Sequence, residues 1–268
     1  MKTHRLPVLA LFALTLNGPA LAQKAPSADE IMQKSESARR IPQLKAEGLL
    51  ATSGDGAPSD KTFLFSRKLT SDGTRFRTLT RFKTPATVRD QAILFLERDS
   101  DSSDIFMYLP NFKKTRRVES HAQSGSFMGT AFSYSDIANP HAEDYTHKLL
   151  KSEKCPGGAN NCFVVESTPR TAGVKERTGY SKSVQWIDSV SYLPVKGEFY
   201  DAKTQKLRKQ MVSSDIQAVG AKKAHYLAHR SEITDLTNGR KSRLVFSKVN
   251  VDENLRDNLF TQAALESP

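Results

Sequence analysis

Hydrophobic and polar positions alternate with a period of two over most of this chain, the spacing that sends successive side chains to opposite faces of a strand. Gln43 to Thr52, Lys61 to Thr70, Thr74 to Phe82, Gln91 to Arg98 and Asp104 to Leu109 read as successive strands, separated by the turn formers SGDGAPS and SDG and by a Thr84-Pro85 break. The alternation is plainest between Thr74 and Phe82, where Arg75, Arg77 and Arg81 share one face and Phe76, Thr78, Thr80 and Phe82 the other. That pattern predicts one wet face and one covered face. A second strand-rich half runs through Asp144 to Leu150, Cys162 to Ser167, Ser181 to Asp188, Val195 to Asp201, Lys206 to Gln217, His225 to Asp235 and Lys241 to Val249. Its clearest hairpin signal is Asp235-Leu236-Thr237-Asn238-Gly239.

The period differs at the start. Ser27-Ala28-Asp29-Glu30 forms a capping box, Ile31 and Met32 with Ala28 and Ala38 give a narrow apolar stripe, and Ile41-Pro42 ends the helix. Together these elements predict a mainly β, α+β fold with about twelve strands in meander order, making a strongly curved antiparallel sheet or an unclosed barrel. The N-terminal helix and the short central segments are then available to cover its concave face. No Pro/Ser-rich linker and no internal repeat interrupts the chain, so residues 23–268 are expected to form one domain.

Residues 1–22 are expected to be a cleaved leader. Lys2 and Arg5 precede the apolar run Leu6 to Leu16, and Ala20-Leu21-Ala22 supplies the small-x-small pattern before Gln23. That run is too short to span a bilayer, no later segment approaches the roughly 20 apolar residues a transmembrane helix needs, and no cysteine follows the cleavage site to carry a lipid. A periplasmic protein, neither lipidated nor membrane-spanning, is the expectation. The whole chain has 40 Lys and Arg against 29 Asp and Glu; the leader holds two of the basic residues and no acid, which leaves 38 against 29, a net of +9. Export argues against nucleic acid as the partner, leaving a solvated basic surface or transient contact with an anionic membrane. Cys155 and Cys162 flank the turn-forming PGGANN, and in an oxidising compartment that spacing predicts a structural disulfide.

A search for catalytic chemistry returns no residue. Ser120 and His121 lack a G-x-S-x-G elbow, and His141 and His147 stand six apart in HAEDYTH on a strand-favouring run, so neither a nucleophile nor a metal or cofactor site is predicted. The aromatic residues point elsewhere. Phe63, Phe65, Phe76, Phe82, Phe95, Phe106, Tyr108, Trp186, Phe199 and Phe246 fall one or two to a strand, as the inward residues of a curved sheet would. Many strands with one clear long helix leave a concavity underfilled, and Phe65, Phe76, Phe95, Phe106, Tyr108, Trp186, Phe199 and Phe246 are the candidates to line it around an apolar ligand. The loop Gln123 to Asp136 is the candidate gate, with Gly125 and Gly129 as hinges and Phe127, Met128, Phe132 and Tyr134 entering or leaving the cavity; a packed Ω-loop is the alternative. Lys113, Lys114, Arg116 and Arg117 form a basic cluster that suits phosphate head groups or an acidic partner, or else a solvated turn.

The tract Asp104 to Ile137 carries Tyr108-Leu109-Pro110, Arg116-Arg117-Val118 and Ser126-Phe127-Met128-Gly129-Thr130-Ala131-Phe132-Ser133-Tyr134-Ser135-Asp136. It resembles the centre of the outer-membrane lipoprotein-sorting-like family, periplasmic proteins related to the lipoprotein carrier, in which S-F-G-G-T-D-F-S-Y-D-D recurs. Met128 and Ala131 replace the usual Gly and Asp here, and Ser135 the first acid of the closing pair. The likeness runs through nearly all of the chain after the leader, to Asn254-Leu255 and Leu259-Phe260-Thr261. It implies a half-barrel capped by helices around an apolar cavity, a non-enzymatic carrier or chaperone for a lipid or acylated protein, and an inner-membrane transporter of the resistance-nodulation-division superfamily as partner. A lipid-responsive sensor or interaction module is the rival, disfavoured because such regulators add a second domain and this chain ends at Pro268. A periplasmic hydrolase built on Ser120 and His121 is the third reading.

Overall fold

The alternating segments fold as the strands of one antiparallel sheet, described by a computed structural model over residues 25–54, 59–98, 103–138, 141–221, 223 and 225–267. The leader expected over 1–22 lies outside the described residues. Helix α1 (Ala28–Ala38) precedes β1 (Gln43–Ser53), β2 (Ser59–Leu69), β3 (Phe76–Thr84), β4 (Ala92–Glu97), β5 (Ser103–Leu109) and β6 (Lys114–Val118). After the central segment, which holds α2 (Tyr134–Ile137), come β7 (Tyr145–Lys154), β8 (Asn161–Pro169), α3 (Ala172–Thr178), β9 (Tyr180–Asp188), β10 (Pro194–Asp201), β11 (Leu207–Val219), β12 (His225–Asp235), β13 (Lys241–Asn250) and α4 (Gln262–Glu266).

The strand order is β6-β5-β4-β3-β2-β1-β13-β12-β11-β10-β9-β8-β7. Two meanders are thus zipped together by β1 and β13, with Leu50 opposite Leu244 and Gly48 opposite Phe246. Strands β6 and β7 remain open edges, so the sheet is not closed into a barrel. It is nevertheless tightly curled. Phe65 of β2 and Ser167 of β8 line one cavity, although seven strand steps would separate them by about 34 Å in a flat sheet with strands about 4.8 Å apart. Gly48 assists locally, because the Phe63 ring on β2 lies over it and a Cβ there would stand 2.0 Å from that ring.

Among the described residues thirteen strands form where about twelve are expected, and the additional one is β6. Its sequence, Lys114-Thr115-Arg116-Arg117-Val118, reads as a charged turn, yet it pairs with Leu109 through Ile105 of β5. An edge strand tolerates charge because one of its sides stays solvated, and charge there also discourages edge-to-edge association. Lys113, at φ 48°, supplies the left-handed turn that precedes it. Helix α3 is likewise unforeseen; Thr171 caps the Val174 amide and Gly179, at φ 73°, ends it.

Both faces of the sheet find cover. The predicted capping box of α1 is present, with Ser27 and Glu30 bonded reciprocally, and Ile31 and Met32 pack on Val165 and Ile187. On the convex side, Leu255, Phe260 and Leu265 of the C-terminal segment cover Ala92 and Leu94. This corrects the expectation of a wet face along β3. Arg81 is buried and donates to the carbonyls of Ala264, Leu265 and Ser267, while Arg77 pairs with Asp257 at 3.2 Å and lies over the Phe260 ring. A guanidinium, with five donors, can satisfy a covering segment's carbonyls as well as water does. No helix among the described residues is long and apolar enough to cross a membrane.

Cys155 and Cys162 form the expected disulfide, which packs with Val164, Val184 and Trp186. Replacing both cysteines by serine should lower unfolding stability in urea by about 2–3 kcal/mol, the loop-closure value for so short a bridge. The concave face should be unaffected, because this cluster lies on the face of β8 and β9 opposite Ser167, Ser183 and Gln185, which line the concavity.

Candidate functional site

Because β6 and β7 are consecutive in the chain yet lie at opposite edges of the sheet, the segment between them must cross the concave side. It is a strap tied down along its length. Near its start Gln123 donates to the Ser103 carbonyl at 3.1 Å, and α3 packs against both the 120–122 turn and α2. Phe127, Ala131, Phe132 and Tyr134 are buried in the principal core with Leu44, Phe63, Phe65, Phe82, Phe95 and Ile105. The Ala131 amide donates to Ser242 Oγ on β13 at 2.9 Å. Asp136 then gathers three donors: the Ser133 amide at 2.8 Å, the Tyr180 hydroxyl at 2.7 Å and Lys209 Nζ at 2.8 Å. Lys209 is buried, and the Asp136 side chain is only 8% exposed. Burial, and then the Asp136 charge, push the Tyr180 phenol well above its ordinary value.

Between the strap and the second half of the sheet lies a cavity of about 320 Å³. One wall is apolar, made by Leu44, Phe65, Met211, Ile233, Leu244 and Phe246. The far wall carries the small polar residues Ser167, Ser183, Gln185, Ser213 and Ser231. Phe132, Ser135, Asp136, Ile137 and Ala138 close it from the strap, and Tyr226, 38% exposed, marks where its lining meets the surface. Such a volume falls at the lower end of ordinary small-ligand pockets.

A charged cluster stands at the α1 end of this cavity. His141 donates to Glu36 (3.5 Å) and to Glu97 (3.0 Å); these bonds, outweighing burial, hold its imidazole up to about 10. Burial works to raise Glu36, but His141, the Ala142 amide and Arg40 prevail and hold its carboxyl down to about 2. His147, by contrast, is bonded to Ser167 Oγ and the Ala142 carbonyl, both at 2.8 Å, and burial lowers its pKa. Among the described residues no group of three or more His, Cys, Asp or Glu is placed to hold a metal ion. Arg39 and Arg67 line the same end of the cavity. Neither stands out as a site residue in the sequence, although Arg67 shares strand parity with Phe63 and Phe65, which already assigns it to the covered face.

The aromatic candidates separate by strand parity. Phe65, Phe199 and Phe246 line the cavity. Phe95 faces the same side but is filled in by the strap, its ring 6.3 Å from Phe127; Phe76 lies beneath the guanidinium of Arg67, 4.7 Å away, and that of Arg40. Phe106 and Tyr108 are on the convex face, packed with the C-terminal segment, because Ile105 and Met107 occupy the inward positions of β5. Trp186 is also outward, beside the disulfide, its indole donating to Glu153 at 2.7 Å. In the loop, Phe132 reaches the cavity while Phe127, Met128 and Tyr134 lie in the core around it. Gly125 and Gly129 flank a compact turn closed by the Phe127 amide to the Phe132 carbonyl at 2.7 Å. Met128 takes φ 51°, the conformation that explains why glycine is usual at that place in the motif. The basic residues Lys113, Lys114, Arg116 and Arg117 are exposed along the β6 edge, away from the cavity, with Arg117 paired to Asp104 at 2.5 Å. Among the described residues no hydrogen bond or ion pair links Ser120 or His121 to a carboxylate, so the hydrolase reading finds no geometry.

A family model described as an uncharacterized protein matches residues 75–267. No curated protein matches the chain in sequence. Among solved structures, a domain from Vibrio parahaemolyticus assigned to outer membrane lipoprotein sorting superposes with a TM-score of 0.81 at 28% identity, covering 89% of this chain and 98% of its own. A DUF1329 family protein from Desulfovibrio piger gives 0.81 at 22% identity over 89% and 97% of the two chains. A LolA superfamily protein from Nitrosomonas europaea gives 0.69 at 22% identity over 90% and 100%. The resemblance carried by Tyr108 to Asp136 therefore extends to the fold.

Two outcomes follow from the strap and its charged end. Asp136→Asn leaves Lys209 buried without its counter-charge and should cost about 3–5 kcal/mol in urea unfolding, whereas adding Lys209→Met should recover much of that loss; equal losses in the single and double variants would deny the pair its role. His141 titrates near 10 when folded against an ordinary 6.5, so its contribution is full below pH 6.5 and disappears as pH rises towards 10. The melting temperature should fall across that window, and His141→Gln should flatten the fall.

Proposed function

The chain belongs to the family whose model matches residues 75–267, and we propose that it is a periplasmic carrier holding a lipid, or the acyl chains of a lipidated protein, in the concave face of its half-barrel. The observation that carries the reading is the unfilled apolar wall. Leu44, Phe65, Leu244 and Phe246 border about 320 Å³ of open space even though the strap packs tightly beside them. An apolar surface left facing a cavity gives up the stabilisation that packing would provide, about 25 cal/mol per Å² of surface withdrawn from water, and a ligand's hydrocarbon restores it. The Vibrio relative's assignment to lipoprotein sorting points the same way.

The loop Gln123 to Asp136 within the strap is proposed as the gate, a reading supported by Phe132, which lines the cavity. The transporter of the resistance-nodulation-division superfamily implied by the family resemblance is proposed as the partner, and the exposed basic edge of β6 as a surface for transient membrane contact. A fluorescent fatty acid should bind the folded mature chain and be displaced by native lipid. Ala228→Trp, which puts an indole into the cavity lining, should weaken that binding at least tenfold, about 1.4 kcal/mol, with the melting temperature little changed. Undiminished binding in this variant would remove the cavity from consideration.

A further inference from the structure

We infer that the ligand of this cavity carries an anionic head group, a carboxylate or a phosphate, held by Arg39 and Arg67. The inference rests on the carrier reading and names the class of molecule carried. At the α1 end, four cations, Arg39, Arg40, Arg67 and His141, surround two carboxylates, Glu36 and Glu97. Both carboxylates are already engaged: Glu36 by Arg40, His141 and the Ala142 amide, Glu97 by His141 and the Phe76 amide. Among the described residues the Arg39 guanidinium donates only to the Ser35 carbonyl, at 3.2 Å. Among the described residues the Arg67 guanidinium makes neither a hydrogen bond nor an ion pair, and its Nε is buried without a partner.

A guanidinium in that condition is costly, since a charge withdrawn from water needs a counter-charge or hydrogen bonds. What the protein supplies instead is stacking. The Arg67 guanidinium lies 4.7 Å from the Phe76 ring centre and 5.9 Å from that of Phe65. A ring beside the cation engages its charge without accepting from its N–H donors in the way a carboxylate would, and so leaves unmet the fork that matches a carboxylate or phosphate in two parallel bonds. Burial, and next the repulsion of Arg39, push Arg67 down to about 10 against the pull of Glu97. A bound anion relieves both effects. The hydrocarbon follows directly, because Leu44 is the cross-strand partner of Arg67 and Phe65 is two residues along the same strand; both line the apolar wall. The modest volume suits one chain with its head group.

Laurate, dodecyl phosphate and dodecanol share one chain and differ in the head, so titration calorimetry on the delipidated mature protein tests the assignment. At least one of the anions should bind tenfold or more tighter than dodecanol, and which one does so distinguishes a carboxylate ligand from a phosphate head group. Arg39→Met and Arg67→Met should each weaken anion binding roughly ten- to a hundredfold, the range for a charge-assisted hydrogen bond, with dodecanol affinity held within about threefold. Arg67→Met should also melt no lower than the parent, since it deletes an unpaired charge. Dodecanol binding as tightly as both anions, or variants that weaken all three ligands alike, or a destabilised Arg67→Met, would overturn the head-group assignment and leave the carrier reading standing. Failure of all three ligands to bind would sink both.

Discussion

Everything on the concave side depends on one topological constraint. The strands at the two open edges, β6 and β7, are neighbours in the chain, so their connection has to traverse the mouth of the half-barrel. A sheet of this curl buries its inner apolar residues only if something enters the concavity, and the strap is the part of the chain with both the position and the side chains to do so. Its fastenings are spread over β5, β13, β9, β11 and α1, through Gln123, Ala131, Asp136 and Ala142. The strap therefore joins the two meanders a second time, opposite the β1–β13 seam.

Asp136 is the firmest of these fastenings because its side chain, 8% exposed, meets the buried Lys209. A buried ion pair adds little net stability compared with apolar packing, but separating its members is expensive, and such a pair favours one arrangement over its near competitors. Here it selects the register of the strap against β9 and β11. The motif read from the sequence is explained on the same terms: Ser133 and Asp136 cap α2 reciprocally, and Met128 and Gly129 make the left-handed turn that aims Phe127 and Phe132 inward.

The fold was largely legible because period-two alternation survives wherever one face is covered. Twelve of the strands, the α1 capping box and the Cys155–Cys162 bridge could be read from local pattern. Strand β6 escaped because edge chemistry resembles turn chemistry, and the cover over Arg77 and Arg81 escaped because a guanidinium looks the same on paper whether it meets water or a segment's carbonyls. The site was less legible. Aromatic content alone does not separate the convex Phe106, Tyr108 and Trp186 from the concave Phe65, Phe199 and Phe246; strand parity does. Arg39 and Arg67 do not stand out in the sequence because arginine is usually a surface residue, and composition does not reveal which arginines lack acids.

Parity combined with side-chain size accounts for the cavity's position. The inward positions of β2, β3 and β4 hold Phe63, Phe65, Phe82 and Phe95, large enough to meet the strap's Phe127 and Phe132 and to exclude space between them. Those of β8, β9, β11 and β12 include Ser167, Ser183, Ser213 and Ser231 beside Met211 and Ile233, and the serine side chains are too short to reach the strap from a sheet of the same curvature. With the curl and the strap common to both halves, the half furnished with phenylalanine becomes core and the half furnished with serine remains open. Serine also tolerates either occupant, water or hydrocarbon, because its hydroxyl can turn to a neighbour, as Ser213 and Ser231 do across 3.3 Å. The cavity is therefore set by the sequence itself rather than left over from imperfect packing.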